Sequence, residues 1–329
     1  MVIPSKYSLT PKITQLLQQI EAAKEVINSI SISPEIETNI RRQSTLKSSL
    51  FSARIEGNTL TMDSLSNMSS QTQQKKEVFN ILKALNHINQ INLKKISVKD
   101  ILNLHKMVLE GLVSKLDIGQ FRTEPGAIFN STGQVIYLPP RPAQILPLIN
   151  NLILFINSKQ EQFIPIKASI AHYTFEKIHP FLDGNGRVGR LLIQIILTHE
   201  GYGMKGIFPL EEYLDNHRAE YYSALETSEK DVTEYVEFML EAMRNTAISI
   251  KNQILNKQET NPQDFLLPRR AEILNIIKDQ EMVNFDQIRR RFLAVNERTL
   301  RFDLKKLADA GLIKKLGTTK GVYYKASIA

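Results

Sequence analysis

The sequence predicts a mainly α chain in three parts, with one β-hairpin in its middle and a small basic unit at its end. Three observations predict it. Apolar residues recur at three-to-four spacing through most of the first 255 residues. A single Gly- and Pro-bearing stretch with two short apolar runs breaks that rhythm. The charge is uneven: from Pro268 onward there are 14 Lys/Arg against 7 Asp/Glu, leaving 28 against 27 in everything before.

Residues 10–50 read as helices of mixed polarity, and KKEVFNILKALNHINQI, around residues 75–91, has the apolar spacing of an amphipathic helix. SARIEGN, residues 52–58, closes a helix, with Gly57 as its C-terminal cap. These segments make an N-terminal helical region, residues 1–95. A second region, residues 96–255, opens on SVKDILNLHKMVLEGL, where Ser97 is placed to cap the helix and Asp100 stands three residues on, as in a capping box. GQFRTEPGAIFNSTGQVIYLPP then carries the hairpin, with Ile128 and Phe129 on one strand and Val135, Ile136 and Tyr137 on the other. Helices resume to residue 255. NKQETNPQDF suggests a linker over residues 256–267, and residues 268–329 form the basic unit.

With 42% apolar and 23% charged residues the composition is that of a soluble globular protein. No secretory leader or membrane span is evident, and the expected location is cytoplasmic, away from membranes. The absence of Cys excludes disulfides, thiolate catalysis and Cys-based zinc sites, so any metal must use oxygen or His ligands.

The densest chemistry lies in HPFLDGNGRVGR, from His179 to Arg190. Gly184 and Gly186, flanking Asn185 just ahead of the apolar LLIQIIL, can adopt backbone conformations closed to other residues. Successive N–H groups can therefore turn toward one point, an anion nest at a helix N-terminus. Arg187 and Arg190, three residues apart, share a helix face at the mouth of a buried helix and need anionic partners. Asp183 offers an oxygen ligand for a Mg2+ that would bridge the same phosphates. His179 stands ready to take a proton from an attacking hydroxyl.

This segment resembles the signature of the Fic family, His-x-Phe-x-Asp/Glu-Gly-Asn-Gly-Arg-x-x-Arg, at every specified position. The resemblance implies the Fic fold, a helical bundle with a β-hairpin flap, and transfer of AMP from ATP to a Ser, Thr or Tyr hydroxyl of a target protein or of the chain itself. It assigns His179 as general base and Asp183 to Mg2+. The loop Gly184, Asn185 and Gly186, with Arg187, would hold the α- and β-phosphates, and Arg190 the γ-phosphate. The hairpin falls where the family keeps its flap, so Ile128, Phe129, Val135, Ile136 and Tyr137 would dock an extended piece of the target. Tyr222 resembles a position that stacks near the adenosine. Doc-like toxins, which phosphorylate their targets, have Lys where this chain has Gly186.

Glu56 sits in the last turn of its helix, facing the negative end of the dipole, which is locally unfavourable by a few tenths of a kcal/mol. The family supplies a reason: an inhibitory helix, Ser/Thr-x-x-x-Glu-Gly/Asn, whose Glu pairs with the second signature Arg and displaces the γ-phosphate. Ser52, Glu56 and Gly57 fit that motif, in an inhibitory helix expected over about 44–57. Two alternatives stay open: a DNA-binding regulator whose Fic core senses nucleotide, and a hydrolase that removes AMP with Glu56 activating water.

The basic unit reads as three helices and a short hairpin. Asn296 can cap the third helix, whose Leu300, Leu304 and Leu307 share one face and leave Arg298, Arg301 and Lys305 on the other. This resembles a winged helix-turn-helix, with those three residues as the DNA-binding set. Winged helices also dock proteins or dimerise, so a homodimer is a further expectation; the basic surplus alone discriminates between these roles.

Overall fold

The computed structural model describes residues 3–32, 34–67, 72–91, 95–129, 133–206, 208–258, 266, 268–293, 295–317 and 321–327. The chain divides into two units, Met1–Ser31 with Ile40–Ile254, and Ile32–Asn39 with Leu255–Ala329. The regions that the sequence separates at residue 95 thus pack as one.

In the first unit, α1 (Pro11–Ser29) starts where the Thr10 hydroxyl accepts from the Ile13 N–H and Pro11 presets the first helical φ. It buries Ile13, Leu16, Ile20, Ala23 and Ile27, an unbroken three-to-four stripe. Helix α2 (Pro34–Ile55) begins earlier than the expected 44. It ends in a Schellman turn: Asn58 N–H donates to Ala53 O (3.1 Å) and Gly57 N–H to Arg54 O (3.0 Å), with Gly57 at φ 97°. A short α3 (Met62–Asn67) precedes α4 (Gln73–Gln90), capped by Thr72, and α5 (Val98–Leu109), where the Ser97 N–H donates to Asp100 Oδ2 at 2.8 Å as the capping box requires.

The hairpin pairs β1 (Ile128–Phe129) with β2 (Val135–Tyr137) antiparallel, Ile128 opposite Tyr137 and Phe129 opposite Val135. Its turn, residues 130–132, and the Phe129 side chain lie outside the described residues. After α6 (Pro142–Asn157) come α7 (Ile164–Ile178) and α8 (Asn185–His199), the most extensive helix–helix contact in the unit. Ile166, Ile170, Phe175, Val188, Leu191, Leu192, Ile195 and Ile196 are all nearly inaccessible. Burying each contributes roughly 1.5–3 kcal/mol, which makes this pair the rigid platform of the unit. Helices α9 (Leu210–Asn216), α10 (Arg218–Leu225) and α11 (Thr233–Gln258) complete it.

The second unit runs α12 (Pro268–Asp279), β3 (Met282–Asn284), α13 (Phe285–Arg291), α14 (Glu297–Asp309), β4 (Ile313–Leu316) and β5 (Tyr323–Ala326). Its three antiparallel strands are ordered β3–β5–β4. The expected hairpin is β4–β5; β3 is an addition, a three-residue strand too short to show an alternation. Leu300, Leu304 and Leu307 are buried with Ile273, Ile277, Val283 and Ile288. Buried Asp303 accepts from Arg269 Nε (2.5 Å) and Arg270 Nε (2.9 Å), so its charge is paired with the start of α12. Arg298, Arg301, Phe302 and Lys305 are all exposed on α14, and the Arg301 guanidinium also stacks on Phe285, 3.8 Å from the ring centre. Most of the linker (259–265 and 267) and the turn at 318–320 lie outside the described residues. Among the described residues no helix is long and apolar enough to cross a membrane.

Candidate active site

The site is built where α7 hands over to α8. His179 terminates α7 in the left-handed region, at φ 47°. A non-Gly residue there is uncommon and must be held by its surroundings. Its N–H donates to Phe175 O (3.0 Å), and its own carbonyl accepts from Arg122 Nε (2.8 Å). Burial pushes the imidazole pKa below its ordinary value, and the Arg122 charge adds to that, against the Glu176 carbonyl and Glu56, which favour the proton. The ring is thereby kept neutral and able to accept a proton.

The loop after His179 is fixed from three sides. Phe181 is buried and stacks on His105 of α5, ring centres 3.8 Å apart. His105 Nδ1 accepts from the Gly119 N–H (2.8 Å), which sets its tautomer, so that Nε2 donates to Asp183 O (3.1 Å). Asn185 clasps Phe181 through both its N–H and its carbonyl, each at 2.8 Å. The Asn185 side chain is therefore spent on the loop itself, and only its main chain is left for a ligand. Gly184, at φ 81°, needs its missing Cβ for conformation, as expected. Gly186 does not: it is helical, and a Cβ there would lie 2.3 Å from Glu56 Oε1 and 3.0 Å from an Arg190 nitrogen. Glycine at 186 is a matter of space, correcting the expectation that both glycines serve unusual backbone angles.

That space is filled by the chain's own carboxylate. Glu56 Oε1 lies 2.8 Å from an Arg190 guanidinium nitrogen, and Arg190, 2% exposed, also donates to the Ser52 hydroxyl (3.0 Å) and the Ser52 carbonyl (2.9 Å). The anion resting over the N-terminus of α8 is Glu56. Helix α2 is held to deliver it: Ser48 donates to buried Glu211, Lys47 pairs with Glu212 (3.0 Å) and Arg54 with Asp215 (3.2 Å). The Tyr222 hydroxyl donates to Ile55 O (3.1 Å), tying the residue expected beside the adenosine to the end of α2.

Arg187 is held separately. One nitrogen donates to Glu77 of α4 and the other to Asp183, both at 2.6 Å. Glu77 in turn accepts from Asn58 (2.9 Å), two residues beyond Glu56. Asp183 remains about half exposed, so its carboxylate is open to a cation. In the flap, Val135 and Ile136 are exposed, Ile128 is half-buried, and the Tyr137 hydroxyl donates to Glu229 (2.8 Å).

Glu77, His105 and Arg122 escape sequence reading. Arg122 is the first residue of RTEPG, just ahead of the hairpin; the other two carry no local signal.

The family model of the Fic/DOC family matches residues 95–197, which span α5, the hairpin and the whole His179–Arg190 loop. The chain carries a Fic domain. Similar curated proteins include "Protein adenylyltransferase Fic" of Aedes aegypti, 28% identical over 70% of this chain and 46% of its own length, and that of Drosophila melanogaster, 27% identical over 70% and 47%. This chain thus spans about half the length of the curated relatives it matches. A Fic family protein from Desulfovibrio desulfuricans shares the fold with a TM-score of 0.67 over 99% of this chain and 98% of its own, at 23% identity. Fic-1 of Caenorhabditis elegans does so at 0.60 over 74% and 73%, at 24% identity. The signature residues lie within the matched segment, and Glu56, from outside it, pairs with Arg190 at the start of α8.

Proposed function

We propose that this chain is a protein adenylyltransferase that its own Glu56 holds at rest. The curated relatives bear that name, and the arrangement around His179 suits its chemistry. A target hydroxyl gives its proton to the neutral His179 as its oxygen bonds to the α-phosphorus of ATP; the bond to the β-phosphate breaks and pyrophosphate leaves. The α8 N-terminus and Arg187 stabilise the charge that develops on the phosphates, and Arg190 takes the γ-phosphate once Glu56 withdraws. Mg2+, when bound, neutralises phosphate oxygens; the exposed Asp183 carboxylate is the residue that would hold it. The exposed Val135–Ile136 edge of the flap suits main-chain pairing with an extended target segment.

The observation that carries this reading is the Glu56–Arg190 pair over Gly186: an acidic group rests on the guanidinium that this reading gives to the γ-phosphate. Incubating wild type and Glu56→Gly with labelled ATP and Mg2+ tests it. More labelled protein from the variant supports the reading, while AMP released from modified protein by wild type alone would favour the hydrolase.

The second unit supports a separate reading as a winged helix that binds DNA. Its order of three helices and three strands fits that fold, and α14 presents Arg298, Arg301 and Lys305 to solvent. A cytoplasmic location and a homodimer complete the proposal on sequence grounds.

A further inference from the structure

Arg122 is 4% exposed and makes no ion pair among the described residues. Its guanidinium donates to three main-chain carbonyls instead: His179 O from Nε (2.8 Å), Glu124 O from one terminal nitrogen (2.8 Å) and Pro140 O from the other (2.6 Å). Its own N–H donates to Pro180 O at 2.9 Å. Burial lowers the guanidinium pKa and no acidic group offsets it. Burying an unpaired charge is expensive, and an apolar side chain of similar length would fill the same space at lower cost. Packing therefore does not account for an arginine here. What an apolar residue could not do is join three separate strands of main chain through one rigid fork.

Those three strands are the turn that carries His179, the entry to the flap at Glu124 and its exit at Pro140. The flap's own ladder is short among the described residues: two residue pairs, with a bulge between Ile128 and Phe129 and two exposed apolar side chains, and the Tyr137 hydroxyl adds one hydrogen bond to Glu229. Two strands in isolation are marginal in water. The left-handed turn at His179 likewise needs an external hold. One side chain meets both needs.

We propose that Arg122 is a positioning residue for the transfer reaction, locking both ends of the flap to the main chain of His179. The group that takes the proton and the edge that receives the target then move as one body. The proposal rests on the transferase reading. It places Arg122 apart from the nucleotide: the residue registers the acceptor hydroxyl against His179 without touching ATP.

The test uses the full chain in the Glu56→Gly background, with Arg122→Gln and Arg122→Lys, the latter keeping charge and stem while losing the fork. Hydrogen–deuterium exchange without nucleotide is read over residues 123–140 and 179–184, with α1 and α12 as internal references. Faster exchange in both segments, with the references unchanged, is expected of both variants. Exchange that is unchanged, raised in only one of the two segments, or raised across the whole chain would overturn the proposal. The kinetic arm measures label from α-labelled ATP: kcat should fall by about a hundredfold with ATP affinity by calorimetry unchanged. A loss of ATP affinity matching the loss of rate would also overturn it. If the Glu56→Gly parent incorporates no label, the transferase reading fails, and the exchange measurement alone decides the role of Arg122.

Discussion

Glu56 and Arg190, 134 residues apart in sequence, meet at 2.8 Å in a pocket where a Cβ on Gly186 would strike the Glu56 carboxylate. The pair is a contact between a helix end and a helix start: Glu56 follows the last residue of α2, against its own dipole, and gains the opposite dipole at the start of α8. A position unfavourable within its helix becomes favourable across the fold.

Removing that carboxylate should separate stability from activity. Glu56→Gly leaves buried Arg190 without that carboxylate, with the Ser52 hydroxyl and carbonyl still accepting from it, and should cost about 2 kcal/mol of stability while AMP transfer rises. Adding Arg190→Ala should abolish the gain, since the gain acts through the guanidinium. Denaturant unfolding and label incorporation on the four proteins of this cycle check both signs.

The signature loop and the Glu56 segment are legible in sequence because each is confined to a dozen residues or fewer. Gly-Asn-Gly before an apolar helix, and Glu-Gly at the close of another, are local events that short-range physics constrains. Glu77, His105 and Arg122 are not legible, for the opposite reason. They act on Arg187, Asp183 and His179 from 110, 78 and 57 residues away. In sequence each is an ordinary polar residue on a helix face or in a loop, and only tertiary packing buries it. The strand β3 was hidden because three residues carry no period.

His179 should be dispensable for binding and essential for transfer. His179→Ala is expected to bind ATP as the parent does and to incorporate no label, by calorimetry and by labelling. Because burial lowers its pKa from the ordinary 6.5, the imidazole stays neutral into mildly acid solution. The acid limb of the pH–rate profile of Glu56→Gly should therefore fall below that value, further so because removing Glu56 takes away a charge that favours the imidazolium.

Glu176, buried in α7 behind Arg190, gives a stability prediction with a definite sign. Burial raises its pKa from 4.5 to about 8, with Arg190 opposing and Glu56 adding. Between these values the folded state binds the proton that the unfolded state has released, so stability falls as pH rises through that window, by up to about 1.4 kcal/mol per pH unit. Glu176→Gln should flatten this dependence in denaturant midpoints measured from pH 5 to 8. A wild-type midpoint that rises with pH in that range, with no change in the variant, would contradict the buried neutral carboxyl.

The exposed face of α14 predicts salt-dependent DNA binding by the whole chain. Arg298→Ala and Lys305→Ala should each weaken binding and reduce the slope of log affinity against log salt by about one, as for the loss of one phosphate contact. Arg301→Ala should do less, since that guanidinium is stacked on Phe285. Titrations of labelled duplex at several salt concentrations measure all three.

If the site at Glu56 and Arg190 is that of an adenylyltransferase, its product is AMP on a protein hydroxyl. The most direct measurement incubates Glu56→Gly with Mg2+ and ATP labelled either at the α- or at the γ-phosphate, and follows label on protein. Label is expected from the α-phosphate alone, and none when His179→Ala is added. Label from the γ-phosphate, or none from either while ATP binds, would contradict that reading.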